Sequence, residues 1–393
     1  MARGDTATGR RIELRIERIA SGGAGVAHEG GKTVFVDLTA PGDRAEVRVV
    51  EEKPTFIKAE LVRVLEASDQ RAQPPCPLYG RCGGCALQHL SYESQLAAKA
   101  AVLSDAFTRI GGFADLPPVK TVPSPPYGYR NRMQFHRVAK PKAGEPPVGL
   151  KMRLSDEVLP IGACPIADEG IRTALAQRRI LPPPHADRFT VYSRGSTFLA
   201  EGGAERGTVR VLDRDLAVNV KGFFQSNAAA LESLIPDLLA ASEGVEAGLR
   251  AADLYCGVGT FAAFLVDRFP RIDLLERDRG ALALARENVR GSGVRYFALS
   301  DDEWARLPRE KGETGRYGFA VVDPPRVGLS SGLRQRIIEL RPEVLAYVSC
   351  DPATLARDAK DLAAAYALER LSCYDFYPQT PHVEALAVFR SRG

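Results

Sequence analysis

The chain has 393 residues, which calls for two or three domains rather than one. Its 45% hydrophobic and 26% charged residues are those of a soluble globular protein, and exclude a disordered or fibrous chain. No apolar run approaches the ~18 residues of a membrane span, and Met1 to Arg10 lack the apolar core of a secretory leader, so a cytoplasmic enzyme with no membrane partner is expected. Lysine and arginine (53) only just outnumber aspartate and glutamate (49), so the net charge of +4 does not by itself announce a nucleic-acid partner.

Residues 11 to 65 alternate apolar and polar side chains in short runs: Arg11 to Glu17, Thr33 to Val36, Ala45 to Val50 and Ala59 to Leu65. Turn chemistry at Ser21-Gly-Gly-Ala-Gly and Pro41-Gly42 separates them. About five such strands suggest a small closed β-barrel, a shape often used on oligonucleotides. A proline-rich joint, Gln73-Pro-Pro-Cys-Pro, leads into three cysteines within ten positions, Cys76, Cys82 and Cys85. In a reducing compartment such crowding points to metal or catalysis before disulfides. Three thiolates are one short of a tetrahedral site, and Cys164 in Ile161-Gly-Ala-Cys-Pro is the natural fourth; on spacing, zinc and iron–sulfur stand equal.

A helix is expected from about Ser91 to Ile110, ended by Gly111-Gly112, and then a mixed, strand-rich region from 120 to 222 with a loop at Leu181-Pro-Pro-Pro-His. Between Lys120 and Arg153 eight cations (Lys120, Arg130, Arg132, Arg137, Lys140, Lys142, Lys151, Arg153) face only Glu145, with Tyr127, Tyr129, Phe135 and His136 interleaved. Cations for phosphates beside rings for unpaired bases are what single-stranded RNA binding uses.

From Phe224 onward helices alternate with buried strands, the pattern of a parallel sheet covered by helices. Ala251-Ala-Asp-Leu-Tyr-Cys-Gly-Val-Gly-Thr runs from a strand into a glycine turn where a ligand can lie against the backbone. Glu276, at the end of the next strand, stands where an acidic residue grips ribose hydroxyls. Two later strands end in Asp323-Pro-Pro-Arg and Cys350-Asp-Pro, on the edge where open α/β sheets bind ligands. Cys350 fits an accessible nucleophilic thiol and Glu384, in Gln379-Thr-Pro-His-Val-Glu, a positioned base; Cys256 and Cys373 are assigned to packing.

Together these segments resemble the bacterial uridine-5 methyltransferases of ribosomal and transfer RNA over nearly the whole chain. The resemblance rests on Gly22-Gly-Ala-Gly-Val and Pro41-Gly of a TRAM-like barrel, Cys82-Gly-Gly-Cys-Ala-Leu-Gln-His, Tyr129-Arg-Asn-Arg and Phe223-Phe-Gln-Ser-Asn. It continues through Asp253-Leu-Tyr-Cys-Gly-Val-Gly, Asp323-Pro-Pro-Arg, Ser349-Cys-Asp-Pro-Ala-Thr and Pro378-Gln-Thr-Pro-His-Val-Glu. It implies an α/β chain in three parts: a TRAM barrel (1–67) with an OB-like fold, a central α+β iron–sulfur domain with the basic stretch (68–222), and a Rossmann-like methyltransferase domain (223–393).

The implied roles follow residue by residue. Gln225, Tyr255, Glu276 and Asp323 would contact S-adenosylmethionine or the target base, with Thr260 just after the glycine turn and Ser300 as the choice for adenine. Cys350 would attack carbon 6 of uridine and Glu384 would remove the carbon 5 proton. Cys76, Cys82, Cys85 and Cys164 would hold a 4Fe–4S cluster, structural or RNA-positioning because methyl transfer needs no electron. A monomer acting on ribosomal RNA is expected, since simpler transfer-RNA relatives often lack both barrel and cluster. The competing expectations are a transfer-RNA substrate, a non-catalytic RNA-binding or assembly factor, and a methyltransferase for DNA cytosine or protein.

Overall fold

The computed structural model describes residues 9–308 and 315–392. Most of the N-terminal segment read above for a leader, residues 1–8, lies outside the described residues. The chain divides into two compact units. The first comprises Met1–Val102, Leu150–Leu159 and Tyr377–His382; the second comprises Leu103–Gly149, Pro160–Phe376 and Val383–Gly393.

The first unit carries six strands rather than about five, in the spatial order Arg11–Arg15, Arg44–Glu52, Phe56–Glu66, Lys32–Val36, Gly25–Glu29, Arg18–Ile19. Neighbours are antiparallel except Lys32–Val36 beside Phe56–Glu66, which is parallel. Alternation sends Leu14, Val34, Val36, Ala45, Val47, Val49 and Ile57 into one core. Three register shifts bend the two long strands against each other, as closing so small a sheet requires. Asp43, fully buried at the start of one long strand, accepts from Ala40 N (2.6 Å) and Ser68 N (2.9 Å), and from Arg71 Nη2 (2.7 Å). The cysteine loop belongs to this unit: Gly83 N donates to Lys151 O (3.0 Å) and Arg153 N to Arg81 O (2.8 Å). Buried His89 donates from Nε2 to Thr39 O (3.0 Å) and takes the Tyr79 hydroxyl on Nδ1 (2.5 Å).

The expected helix runs Tyr92–Ala106 and widens into a π-turn at Phe107–Gly111; Gly112, at φ +72°, ends it. In the second unit, Arg132–Arg137, Arg188–Arg194 and Thr197–Ala200 pair antiparallel, and Arg206–Val211 with Arg214–Asn219 form a hairpin. An eight-stranded sheet carries the rest, in the order Val294–Phe297, Ile272–Leu275, Arg250–Leu254, Tyr317–Val322, Val344–Ser349, Glu384–Ser391, Tyr366–Tyr374, Val119–Val122. The first five are parallel, as βαβ crossovers require, and Glu384–Ser391 is antiparallel to both its neighbours. Arg250–Leu254, Tyr317–Val322 and Val344–Ser349 are buried at every position, matching strands covered on both faces. Val119–Val122 joins the edge of this sheet in parallel, although the sequence reading assigned it to a separate central region. No helix among the described residues is long and apolar enough to cross a membrane.

Candidate active site

At the carboxyl end of the parallel strands, side chains gather from four of them and from the antiparallel strand inserted beside them. Ser349 pairs with Ala385, so the antiparallel ladder brings Cys350 level with Glu384. Val322 pairs with Tyr347, which sets Asp323 beside the same strand end. Local chemistry holds Cys350 where the strand stops: Asp351 caps the following helix by accepting from Thr354 N (2.9 Å), and Pro352 fills its first turn, where no amide hydrogen is needed. Cys350 is half-buried and Glu384 buried.

These groups act on one another. Burial pushes the Cys350 thiol up to about 11, the charges of Glu384 and Asp323 push the same way, and Arg326 opposes them. Burial raises Asp323 to about 7. It drives Glu384 well above the usual carboxylate range, with Asp323 adding to the rise and Arg326 opposing it. Two carboxyls so placed do not both ionise readily.

The glycine turn is built by two acids. Buried Asp253 accepts from Ala262 N (2.9 Å), while its other oxygen has no hydrogen-bond partner among the described residues. Glu276 accepts from Gly257 N (3.1 Å) and Asp278 N (2.7 Å), which folds the turn onto the end of the second strand. Gly257 has φ +55° and open space where a Cβ would stand, so a ligand can approach its backbone. Tyr255 takes a left-handed φ of +65°, and its hydroxyl donates to Asp301 (2.7 Å). Thr260 is buried just beyond the turn. Gln225 is buried two residues before Asn227, which caps the Ala228–Ala241 helix and donates to Ser124 Oγ (2.9 Å) and Phe376 O (3.1 Å).

Ser300, the choice for adenine, follows the Val294–Phe297 strand. It caps the Asp301–Ala305 helix in a reciprocal box with Glu303, to which its hydroxyl donates (2.8 Å). Asp301, which the sequence reading passed over, is the neighbour tied to Tyr255. Arg326, within the Asp323-Pro-Pro-Arg motif, carries no role in the sequence reading, yet its charge opposes the rise at both Cys350 and Glu384. A cavity of about 220 Å³ lined by Asp273, Arg295, Trp304, Tyr317 and Arg336, among others, contains none of the candidate site residues.

No group of three or more His, Cys, Asp or Glu side chains among the described residues is arranged to hold a metal ion. Cys76, Cys82 and Cys85 are half-buried in the first unit, Cys164 is buried in the second, and none of the seven cysteines is disulfide-bonded. Cys256 and Cys373 are buried, as packing residues are. In the basic stretch, Tyr129 and Phe135 are core residues and so offer no stacking face.

Comparison with known proteins decides the family. Residues 204–392 match the tRNA (Uracil-5-)-methyltransferase family and residues 5–62 the TRAM domain. A protein of Edwardsiella ictaluri named 23S rRNA (uracil(1939)-C(5))-methyltransferase RlmD is 31% identical, over 98% of this chain and 97% of its own. An uncharacterized RNA methyltransferase of Treponema denticola is 32% identical, over 92% of this chain and 94% of its own. The chain belongs to the RNA uracil-5-methyltransferase family. The crystal structure of the Pyrococcus abyssi tRNA (uracil-54, C5)-methyltransferase with S-adenosyl-L-homocysteine superposes with a TM-score of 0.72 at 27% identity, covering 96% of this chain and 100% of that one. The chain is therefore an S-adenosylmethionine-dependent RNA methyltransferase, and the glycine turn with its two acids and open backbone fits such a donor.

Proposed function

We propose that this chain methylates carbon 5 of a uridine in ribosomal RNA, with Cys350 as nucleophile and Glu384 as base. The observation that carries the reading is the ladder register that brings a thiol and a buried carboxyl to one strand end. Carbon 5 of uracil is a poor nucleophile. Cys350 thiolate adds to carbon 6, and the electron pair displaced from the 5,6 double bond makes carbon 5 nucleophilic. S-adenosylmethionine supplies the methyl group and leaves as S-adenosylhomocysteine. Glu384 then takes the proton from carbon 5; the double bond re-forms and expels the Cys350 thiolate. Gln225, Tyr255, Thr260, Glu276, Ser300 and Asp323 form the donor side. Access to both faces of the ring means the uridine is flipped out of any local stack.

Ribosomal RNA is favoured by relatives named for a 23S uridine that align almost end to end with this chain. The second reading, a transfer-RNA uridine, draws on the name of the solved neighbour. The family reading also assigns Cys76, Cys82, Cys85 and Cys164 to a 4Fe–4S cluster. Four thiolates are suitable donors for such a cluster, and no step of the reaction passes through it. Iron and sulfide analysis of anaerobically purified protein tests this separately; absence of both after reconstitution removes the cluster.

Labelled S-adenosylmethionine offered with separate unmodified ribosomal and transfer RNA pools tests the main reading. Label should appear in 5-methyluridine of the ribosomal pool and vanish in Cys350→Ala. Label in the transfer-RNA pool alone transfers the assignment there; full activity of Cys350→Ala removes the covalent route.

A further inference from the structure

Resting on the reading of Cys350 as nucleophile, we propose that Asp358 is a positioning residue for the reaction, acting through the Pro325–Leu329 loop that carries Arg326. Asp358 lies fully buried in the Pro352–Leu362 helix that follows Cys350. Its Oδ2 accepts from Leu329 N (2.8 Å) and from the Tyr347 hydroxyl (2.7 Å). Its Oδ1 accepts from Arg334 Nη1 (3.0 Å) and from Arg357 Nε (2.9 Å) and Nη2 (2.7 Å).

The two arginines grip the same loop. Arg357 Nη2 donates to Val327 O (2.9 Å) and Arg334 Nη1 to Leu329 O (2.5 Å), while Gly328 N closes the turn onto Pro325 O (2.8 Å). Gly328 has φ +76°, and a Cβ there would stand 2.5 Å from Asp358 Oδ2, so the loop backbone lies directly on the carboxylate. One residue on, Ser330 N donates to Asp301 (3.3 Å), the acid that also takes the Tyr255 hydroxyl.

Stability alone does not call for this arrangement. A carboxylate withdrawn wholly from water and held by two guanidinium groups rarely outperforms a well-packed apolar side chain at the same place. What it achieves is geometric. Tyr347 stands three residues before Cys350 on the same strand, so Asp358 fastens the loop to the element that aims the nucleophile. Arg326 and Val327 remain exposed at the fastened loop's tip. Cys350 is faced by Glu384 and Asp323, which oppose its ionisation, and by Arg326, which favours it. The clamp thus fixes where the favourable charge stands.

Single-turnover methyl transfer in Asp358→Asn, Arg326→Ala and the double variant tests the inference, with S-adenosylhomocysteine binding measured by calorimetry. Misplacing a reacting environment by a fraction of an ångström to an ångström costs about ten- to a hundredfold in rate. Asp358→Asn should slow transfer by about tenfold at unchanged S-adenosylhomocysteine affinity, and by less than about twofold in the Arg326→Ala background. Gly328→Ala, which lifts the loop without altering Asp358, should reproduce both effects and serves if Asp358→Asn does not fold. Slowing that multiplies in the double variant, or a wild-type rate in Arg326→Ala, overturns the proposal. Cys350→Ala run alongside separates the two readings: activity there sinks the nucleophile assignment, whereas an inactive Cys350→Ala with a wild-type Asp358→Asn sinks only the clamp.

Discussion

At Cys350 burial and two neighbouring carboxyls act in the same direction, raising the thiol to about 11 while Arg326 pulls it down. A thiol so held is almost wholly protonated at neutral pH, and the attacking species forms in proportion to hydroxide concentration. Glu384, also raised, must be ionised to accept the carbon 5 proton, a step that follows methyl transfer and governs release rather than attack. Single-turnover methyl transfer should therefore climb from pH 6.5 to 9 without a plateau, at up to about tenfold per pH unit; a flat profile would mean the bound RNA has already formed the thiolate. Glu384→Gln separates the two halves of the reaction. Attack and methylation need no base at carbon 5, but release does, so the methylated RNA should stay attached to Cys350 and run as a slow band in a denaturing gel. Ordinary turnover in that variant would show that another group, Asp323 foremost, removes the proton. Cys350 and Glu384 could be proposed from sequence because each stands in a distinctive motif. Their protonation could not, because it depends on neighbours that only strand pairing supplies.

Single buried acids govern several of the elements. Asp43 anchors the Arg44–Glu52 strand to the segment around Ser68 and Arg71. Burial by itself raises its pKa, but hydrogen bonds from Arg71, Ala40 and Ser68 outweigh that, and the carboxyl ends below its ordinary value. A lowered carboxylate stabilises the fold at every pH above the unfolded value near 4, and that contribution is lost as pH falls through the folded value. Asp43→Ala leaves Arg71 without its carboxylate and should cost about 3 kcal/mol, seen as a lower urea midpoint with no change in slope. A midpoint within error of wild type would show that water replaces the carboxylate at no cost. Elements of this kind were legible where a period was strong: the alternating barrel strands, the buried parallel strands, the helix from Tyr92 ended at Gly112. Val119–Val122 escaped because four half-exposed or exposed residues at a sheet edge carry no period, and their partner lies some 250 residues away in sequence. The pairing of Ser349 with Ala385 escaped for the same reason: register is a property of two strands, and neither sequence contains it alone.

For the whole molecule, charge must be counted after pairing rather than before. The stretch from Lys120 to Arg153 reads as seven net positive charges, yet most of its cations are engaged within the fold. Lys120 pairs with Asp237 (2.9 Å), Lys151 with Asp156 (2.6 Å), and Arg153 with Asp37. Arg132 donates to Gly222 O (3.1 Å) and Arg137 to Ala186 O (3.3 Å), so these two brace backbone rather than await phosphate. Lys140 and Lys142 stand exposed, with no side-chain hydrogen bond or ion pair seen among the described residues. The electrostatic part of RNA binding carried by this stretch should therefore rest on few phosphates. Each phosphate contact on single-stranded RNA contributes about 0.7 to the slope of log K against log salt. Lys140→Ala with Lys142→Ala should thus flatten that slope by about 1.4 and weaken binding at low salt, leaving single-turnover methyl transfer at saturating RNA unchanged. Lys120→Ala should leave the slope nearly as it is, because its charge is already met by Asp237. A slope that falls with Lys120→Ala but not with the Lys140 and Lys142 pair would mean that RNA displaces the internal carboxylate, and that the cations paired in the free protein are the ones that bind.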